Sequence, residues 1–379
     1  MKKNILLVAN WDSNVGYAWW LMENFWSKIA NEFTNKGYKC FLIYPSISTV
    51  PKTIQESPIQ IIGHNYADFT LGGLSRLISI IRKNNIGYIY LTDKPETSVL
   101  YILFKLCGVK IIFIHDHTPG ERTKVTGLKL HIKKLYKRFP FINADTFIAV
   151  TDYIRTRMLE CSALPAKKCF VAKNGIIPIG RNPEFRYYCH DKFSLPRDSI
   201  LIISTGRAHR YKRVDLLINA FAKIILENNL PNLYFIYCGE GPHLTDFKEL
   251  ASKLNVDNHF IFTGKRNDVK LLLQSCDIGV QASQGEVGYS LSILEYMSAG
   301  LATLVPDNPS VCQSIIDGYD GLYYESNDLS SLCIKLLNVI RDEELRNKLG
   351  KTATQSVESN YRLEHTNDNL IKILSRYIT

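Results

Sequence analysis

Short, unbroken runs of branched and aromatic apolar residues recur along this chain, and each gives way to a segment of helical periodicity. The runs Ile5–Ala9, Cys40–Tyr44, Ile59–Ile62, Tyr88–Leu91, Lys110–Ile114 and Thr146–Val150 alternate with amphipathic stretches such as Ala18–Asn35, Gly73–Asn84 and Pro95–Cys107. A strand that is apolar at every position has no solvated face, so it belongs in a sheet covered on both sides, and intervening helices make that sheet parallel. The pattern breaks at residues 177–198, where Pro178, Gly180, Pro183 and Pro196 stand among mixed charges as in a linker. It then restarts with Ile200–Thr205, Leu233–Cys238, His259–Thr263, Ile278–Ala282 and Ala302–Val305, with helices such as Val214–Asn228 between them. The prediction is an α/β protein of two doubly wound, Rossmann-like domains, 1–176 and 199–355, with 356–379 as a C-terminal helix returning to the first. Such sheets bind ligands at the carboxyl ends of their strands, so two of them joined by one linker are expected to face each other across a ligand-binding cleft.

At 379 residues the chain is long enough for two cores. No apolar run approaches the roughly 20 residues that span a bilayer, and the N-terminal MKKNILLVANWDSN reads as a first strand rather than a secretory leader. Nine cysteines with no C-x-x-C pair suggest neither a disulfide framework nor a zinc site, and point to the reducing cytoplasm. The formal charge of +10 favours anionic partners: nucleotide phosphates, an anionic membrane face or nucleic acid.

Several short constellations carry chemistry. In STGRAHRYKRVD a strand ends at Thr205, Gly206 turns the chain, and Arg207 and Lys212 precede a helix, so cations and a helix N-terminus converge where a phosphate would sit; a solvated basic loop is the plainer reading. Gly239-Glu240-Gly241 follows the next strand but lacks the third glycine of a dinucleotide fingerprint, since Leu244 takes its place. A tight strand-to-helix turn fits it equally well. Lys265 and Arg266 follow Gly264 at a strand end, where a nucleobase or phosphate can lie. In GEVGYSLSILEYMSAG, Gly288 and Ser290 keep a loop thin before a helix whose Leu291, Leu294, Met297 and Ala299 bury one face. Glu295, a turn into that helix, suits two sugar hydroxyls, because a carboxylate repels phosphate but accepts from a diol. Cations for phosphate, thin backbone and carboxylates for hydroxyls together describe a sugar nucleotide.

Taken in order, Gly206-Arg207-x4-Lys212, the Gly239–Gly241 turn, Phe262–Gly264 and GEVGYSLSILEYMSAG resemble the C-terminal domain of the retaining family-four glycosyltransferases (glycosyl transferases group 1), which have the GT-B fold. IAVTDYIRTRML and FVAKNGI are similar to the segments closing that family's N-terminal domain, and Gly16 stands where its glycine loop follows the first strand. The resemblance implies an N-terminal acceptor-binding domain and a C-terminal nucleotide-sugar domain. It further implies that Arg207 and Lys212 bind the donor diphosphate, Glu295 holds the ribose hydroxyls, and Glu286 with the loop Val287, Gly288, Tyr289, Ser290 and Leu291 contacts the transferred sugar. His115, ending a strand in IIFIHDHTPG, is implied to face that sugar, with His117 as second choice. A metal held by this His-Asp-His run and a purely structural histidine pair are the other readings. Two departures stand out: eight residues separate Glu286 from Glu295 where the family has seven, so Val287 holds the usual glutamate position, and Ile177 replaces an aspartate common after N-G-x.

From Arg122 to Arg138 the chain carries seven Lys/Arg and no acid, interleaved with Val125, Leu128, Ile132 and Leu135. An amphipathic helix seated on anionic lipid and a solvated helix face both fit this pattern. The expected activity is metal-independent, retaining transfer of a sugar from a UDP- or GDP-linked donor to a carbohydrate or lipid-linked acceptor in surface polysaccharide or glycolipid assembly, with no cofactor. The enzyme would be cytoplasmic or peripheral at the membrane's inner face. The rivals are a GT-B sugar-nucleotide epimerase and, on charge alone, a nucleic-acid-binding protein; a nucleic-acid partner is not expected, because the basic residues cluster in one helix away from any aromatic stacking platform.

Overall fold

In the computed structural model, which describes residues 3–16, 19–139 and 141–378, the apolar runs become parallel strands of two separate sheets. Two units form, one from the described parts of 1–118, 122–174 and 364–379, the other from 119–121 and 175–363.

Unit 1 contains strands β1 (Asn4–Val8), β2 (Cys40–Tyr44), β3 (Ile59–Gly63), β4 (Ile86–Thr92), β5 (Ile111–Asp116), β6 (Thr146–Ala149) and β7 (Cys169–Val171) in the order β3-β2-β1-β4-β5-β6-β7. Central β2 and β4 are buried at every residue, whereas edge strand β3 exposes Gln60. Helices α1 (Trp20–Asn35), α2 (Lys52–Gln55), α3 (Leu71–Lys83), α4 (Leu100–Leu106), α5 (Gly127–Tyr136) and α6 (Asp152–Glu160) connect them. Ala18, where the sequence pattern opens the first helix, lies outside the described residues, as does Tyr17. Of the aromatic stretch, Trp26 is core, packed edge-on to Trp19 and Tyr44.

Unit 2 contains α7 (Tyr188–Phe193), β8 (Ile200–Thr205), α8 (Val214–Asn228), β9 (Leu233–Cys238), α9 (Leu244–Lys253), β10 (Phe260–Gly264), α10 (Val269–Ser275), β11 (Ile278–Val280), α11 (Leu291–Ser298), β12 (Ala302–Pro306), β13 (Leu322–Tyr324), α12 (Leu329–Arg341) and α13 (Glu343–Asn360), with strand order β10-β9-β8-β11-β12-β13. The two-residue period of a strand divides β8 between two apolar layers: Ile202 packs with α8, α9 and α12, while Leu201 and Ile203 pack with α10 and α11. The last helix, α14 (Leu363–Leu374), belongs with unit 1, where Asn367 donates to Asn24 at 2.8 Å and Lys28 pairs with Asp368 at 3.0 Å.

Residues 177–198 differ from the linker expected. They are folded onto unit 2: Arg181 donates to the Cys276 carbonyl at 2.6 Å, Arg186 pairs with Asp277 at 3.0 Å, Tyr188 donates to Asp268 at 2.6 Å, and Cys189 is fully buried. Proline signals a lack of regular ladder bonding, not a lack of packing, and here side chains anchor an irregular backbone.

Each sheet winds outward in both directions from a central pair, β1/β4 in unit 1 and β8/β11 in unit 2. Such reversal points leave a crevice at the strands' carboxyl ends, and the residues singled out by sequence lie at those ends.

Candidate active site

In unit 2 the turn after β8 is built by backbone apposition. Gly206 N–H donates to Cys238 O at 3.0 Å, Ala208 N–H to Glu240 O at 2.9 Å, and His243 N–H to Ala208 O at 3.1 Å. A Cβ on Gly239 would lie 1.8 Å from the Gly206 carbonyl oxygen, and one on Gly241 2.4 Å from that of Ala208. These glycines are therefore demanded by the close approach of two loops. The same packing fixes the path of Arg207 through Lys212: His209 caps a short 3-10 turn at Arg210–Lys212, Arg213 enters the left-handed region, and α8 begins at Val214.

Arg207 is exposed, whereas Lys212 is largely buried and ion-paired with Glu286. Burial pulls the Lys212 ammonium downward, but Glu286 and Tyr211 outweigh it and hold the group above its ordinary value. The loop carrying Glu286 is tied on several sides. Gln284 N–H donates to Tyr211 O at 2.8 Å, Gly120 N–H to Glu286 O at 3.0 Å, and Gly288 N–H to Ser310 O at 2.8 Å. Ser290 then caps α11, accepting from Ile293 N–H. The ring of Tyr289 is core, edge-on to Tyr361, so of that residue only the backbone faces the loop.

Glu295 sits a turn into α11, partly buried, with no hydrogen-bond partner among the described residues; burial pushes its carboxyl up to about 7 against the pull of Lys270. Beneath it Tyr296 accepts from Thr205 N–H at 2.6 Å, and Ser292 donates to Thr205 O at 3.2 Å, so α11 and the end of β8 are locked together. Arg266 is committed to a bidentate pair with Asp268 at 2.8 and 2.5 Å, and Lys265 before it is exposed. The structure thus gathers Arg207, Lys212, Glu286, the 287–291 loop and Glu295 around the β8 and β11 ends, and pairs Arg266 with Asp268.

In unit 1 the strand β5 delivers His115 and His117 to the carboxyl edge. His115 is fully buried, its Nδ1 hydrogen-bonded to Tyr90 Oη and its ring 4.2 Å from that of His117. Burial drives the His115 imidazole well below its ordinary value and that of His117 down to about 4, so both are neutral. Beside them lies Asp93, a residue the sequence reading passed over. It accepts from His117 N–H at 2.5 Å, has φ +52°, and burial raises its carboxyl to about 7. Its one signal was position, immediately after a fully buried strand. Gly16 stands with φ +68° in the turn after β1. Among the described residues no group of three or more His, Cys, Asp or Glu side chains is placed so that it could hold a metal ion.

Two Rossmann-like units, each built on a parallel sheet, with this loop set define a GT-B protein. The fold agrees with solved structures: a glycosyltransferase from Rickettsia africae (TM-score 0.79, 19% identity, 98% of this chain and 97% of that one) and Anabaena HepE in complex with UDP and glucose (TM-score 0.77, 14% identity, 99% and 100%). Residues 189–356 match the family model described as glycosyl transferases group 1. The UDP-Gal:alpha-D-GlcNAc-diphosphoundecaprenol alpha-1,3-galactosyltransferase of Escherichia coli is 30% identical over 308 residues, 76% of this chain and 75% of its own length. The N-acetyl-alpha-D-glucosaminyl L-malate synthase of Bacillus anthracis is 23% identical over 344 residues, 89% and 84%. The chain belongs to the glycosyl transferases group 1 family and is a glycosyltransferase, which favours transfer over the epimerase reading.

Proposed function

We propose that the enzyme transfers a sugar, with retention and without a metal ion, from a UDP- or GDP-linked donor to a carbohydrate or lipid-linked acceptor in surface polysaccharide or glycolipid assembly. The observation that carries this reading is the Arg207–Lys212 turn at the β8 end, beside the N-termini of α8 and α11. As the glycosidic bond breaks, negative charge grows on the departing diphosphate. Fixed cations and helix dipoles stabilise that charge more than they stabilise the bound donor. Glu295 accepts the two ribose hydroxyls, and the 287–291 backbone lies against the sugar. Front-face attack, which the family resemblance implies, needs no protein nucleophile; the leaving phosphate takes the acceptor's proton. His115, His117 and Asp93 form the polar edge of the acceptor unit. The Escherichia coli relative's UDP-galactose donor and diphosphoundecaprenol acceptor support the substrate classes. Nine free cysteines suit a cytoplasmic enzyme.

The test is a thermal-shift panel of UDP-, GDP-, ADP- and CDP-sugars followed by transfer assays with the binding donor, with and without chelator. Lys212→Ala is expected to cost about 3 kcal/mol of transition-state stabilisation, over a hundredfold in turnover. Wild-type turnover in that variant would refute the assignment, and loss of activity on chelation would refute metal independence.

A further inference from the structure

Helix α5 is mounted inside out. At about 100° per residue, Leu128, Ile132, Leu135 and Tyr136 share one side of it, and Leu130 and Lys133 lie opposite, with Lys137 continuing the latter row. In a helix packed for water the leucines would face the protein. Here no α5 residue is buried, and Leu128, Ile132, Leu135 and Tyr136 are 77%, 60%, 61% and 48% exposed. The inward row holds Leu130 but is anchored by two lysines. Lys133 Nζ donates to the Cys161 carbonyl at 2.7 Å, and Lys137 Nζ donates to Thr97 Oγ1 at 2.8 Å with Glu96 at 3.6 Å. These bonds set the helix's rotation, so the outward apolar face is held in place by the rest of unit 1.

The apolar surface continues past the helix. Phe139 and Phe141 are 56% and 58% exposed, and the neighbouring Ser98 N–H donates to Ile142 O at 2.8 Å, which brings 77% exposed Val99 beside them. Lys129, Lys134 and Arg138 flank the apolar row, exposed and without an ion pair among the described residues. Apolar side chains edged by cations, with no acid from Arg122 to Arg138, match an anionic bilayer, where the former enter the acyl boundary and the latter meet lipid phosphates. A protein partner of ordinary composition would place acids and apolar groups against this face in register. Of the seven cations, Arg122 and Lys137 lie by Glu96, Lys124 pairs with Glu160 and Lys133 holds a carbonyl; the remaining Lys129, Lys134 and Arg138 ask only for a diffuse negative surface. No helix among the described residues is long and apolar enough to cross a membrane.

We propose that α5, with Phe139, Phe141 and Val99, is a docking face for an anionic lipid bilayer. This deepens the lipid-linked acceptor reading of the proposed function, and its test is separate from that reading. The full chain is floated with phosphatidylcholine vesicles and with vesicles of equal parts phosphatidylcholine and phosphatidylglycerol, while thermal stabilisation by UDP is measured alongside to read the donor site. Flotation is expected with the anionic vesicles and not with the neutral ones, and is expected to be lost in about 1 M salt. A variant carrying Leu128→Ser, Ile132→Ser and Leu135→Ser should lose flotation while keeping stabilisation by UDP. One carrying Lys129→Gln, Lys134→Gln and Arg138→Gln should bind on the order of a hundredfold more weakly. Equal binding to both vesicle types, or unchanged binding of the serine variant, would overturn the proposal. So would a concentration-dependent dimer, formed without vesicles and abolished by the serine changes, since the face would then belong to a second copy of the chain.

Discussion

Lys212 already has an anionic partner within the protein itself. The Glu286 carboxylate holds it across a largely dehydrated contact, with the two side chains 12% and 13% exposed, and an incoming diphosphate must share or displace that carboxylate. Replacing Glu286 with Gln keeps the shape and removes the charge that competes with, and repels, phosphate. Glu286→Gln is therefore expected to bind UDP roughly tenfold tighter, a gain of about 1.4 kcal/mol, and calorimetric titration of both proteins reads it directly; an unchanged or weaker affinity would count against a diphosphate at Lys212. The basic turn was legible in sequence because it follows a strand whose apolar run ends sharply, and Glu295 because it interrupts an apolar helix that follows a thin loop. The partnership of Lys212 with Glu286 was not. Those residues are 74 positions apart, and only the sheet order that sets β8 beside β11 brings their loops together. Arg266 shows the converse, a cation visible in sequence that is already paired with an acid, Asp268, two residues on.

Among the elements, α11 bears most on the loop that carries Arg207 and Lys212. Tyr296 reaches beneath β11, where Gly279 leaves room for its ring (a Cβ there would come within 2.6 Å), and accepts from Thr205 N–H at 2.6 Å. Tyr296→Phe strands a buried backbone donor at the root of the Arg207–Lys212 turn. It should lower stability by about 1–3 kcal/mol and raise the donor KM more than it lowers kcat; denaturant unfolding and steady-state kinetics separate the two effects. Long, fully apolar strands were readable because burial on both faces removes the polar residues that blur a boundary, and β2, β8 and β9 begin and end where the sequence placed them. Three-residue β7 and β13 carry too few positions to show a period, and both lie at sheet edges where partial exposure dilutes the apolar signal.

At the scale of the whole molecule, pH acts on unit 1 through opposing groups. His115 and His117 are depressed by burial, so the stability tied to their neutral forms is present above the unfolded value near 6.5 and is lost as pH falls through the window down to about 4. Asp93, raised to about 7, works the other way: stability grows as pH falls from 7 toward the ordinary carboxylate range. Two depressed imidazoles outweigh one raised carboxyl, so these three groups lower stability on acidification between pH 6.5 and 4. Asp93→Asn removes the opposing contribution. It should steepen that loss by up to about 1.4 kcal/mol per pH unit, which urea unfolding at pH 7 and pH 5.5 would resolve; an unchanged slope would place the Asp93 titration elsewhere.

The return of α14 to unit 1 also orders events in time. Unit 2 is closed almost entirely within residues 175–363, whereas unit 1 waits for residues beyond 363. During synthesis from the N-terminus, unit 2 can finish folding before unit 1, whose strands precede it, is complete. The segments around Asn24 and Phe113 that α14 and the following turn cover stay open until the last residues emerge. The first half translated is thus the last to be sealed.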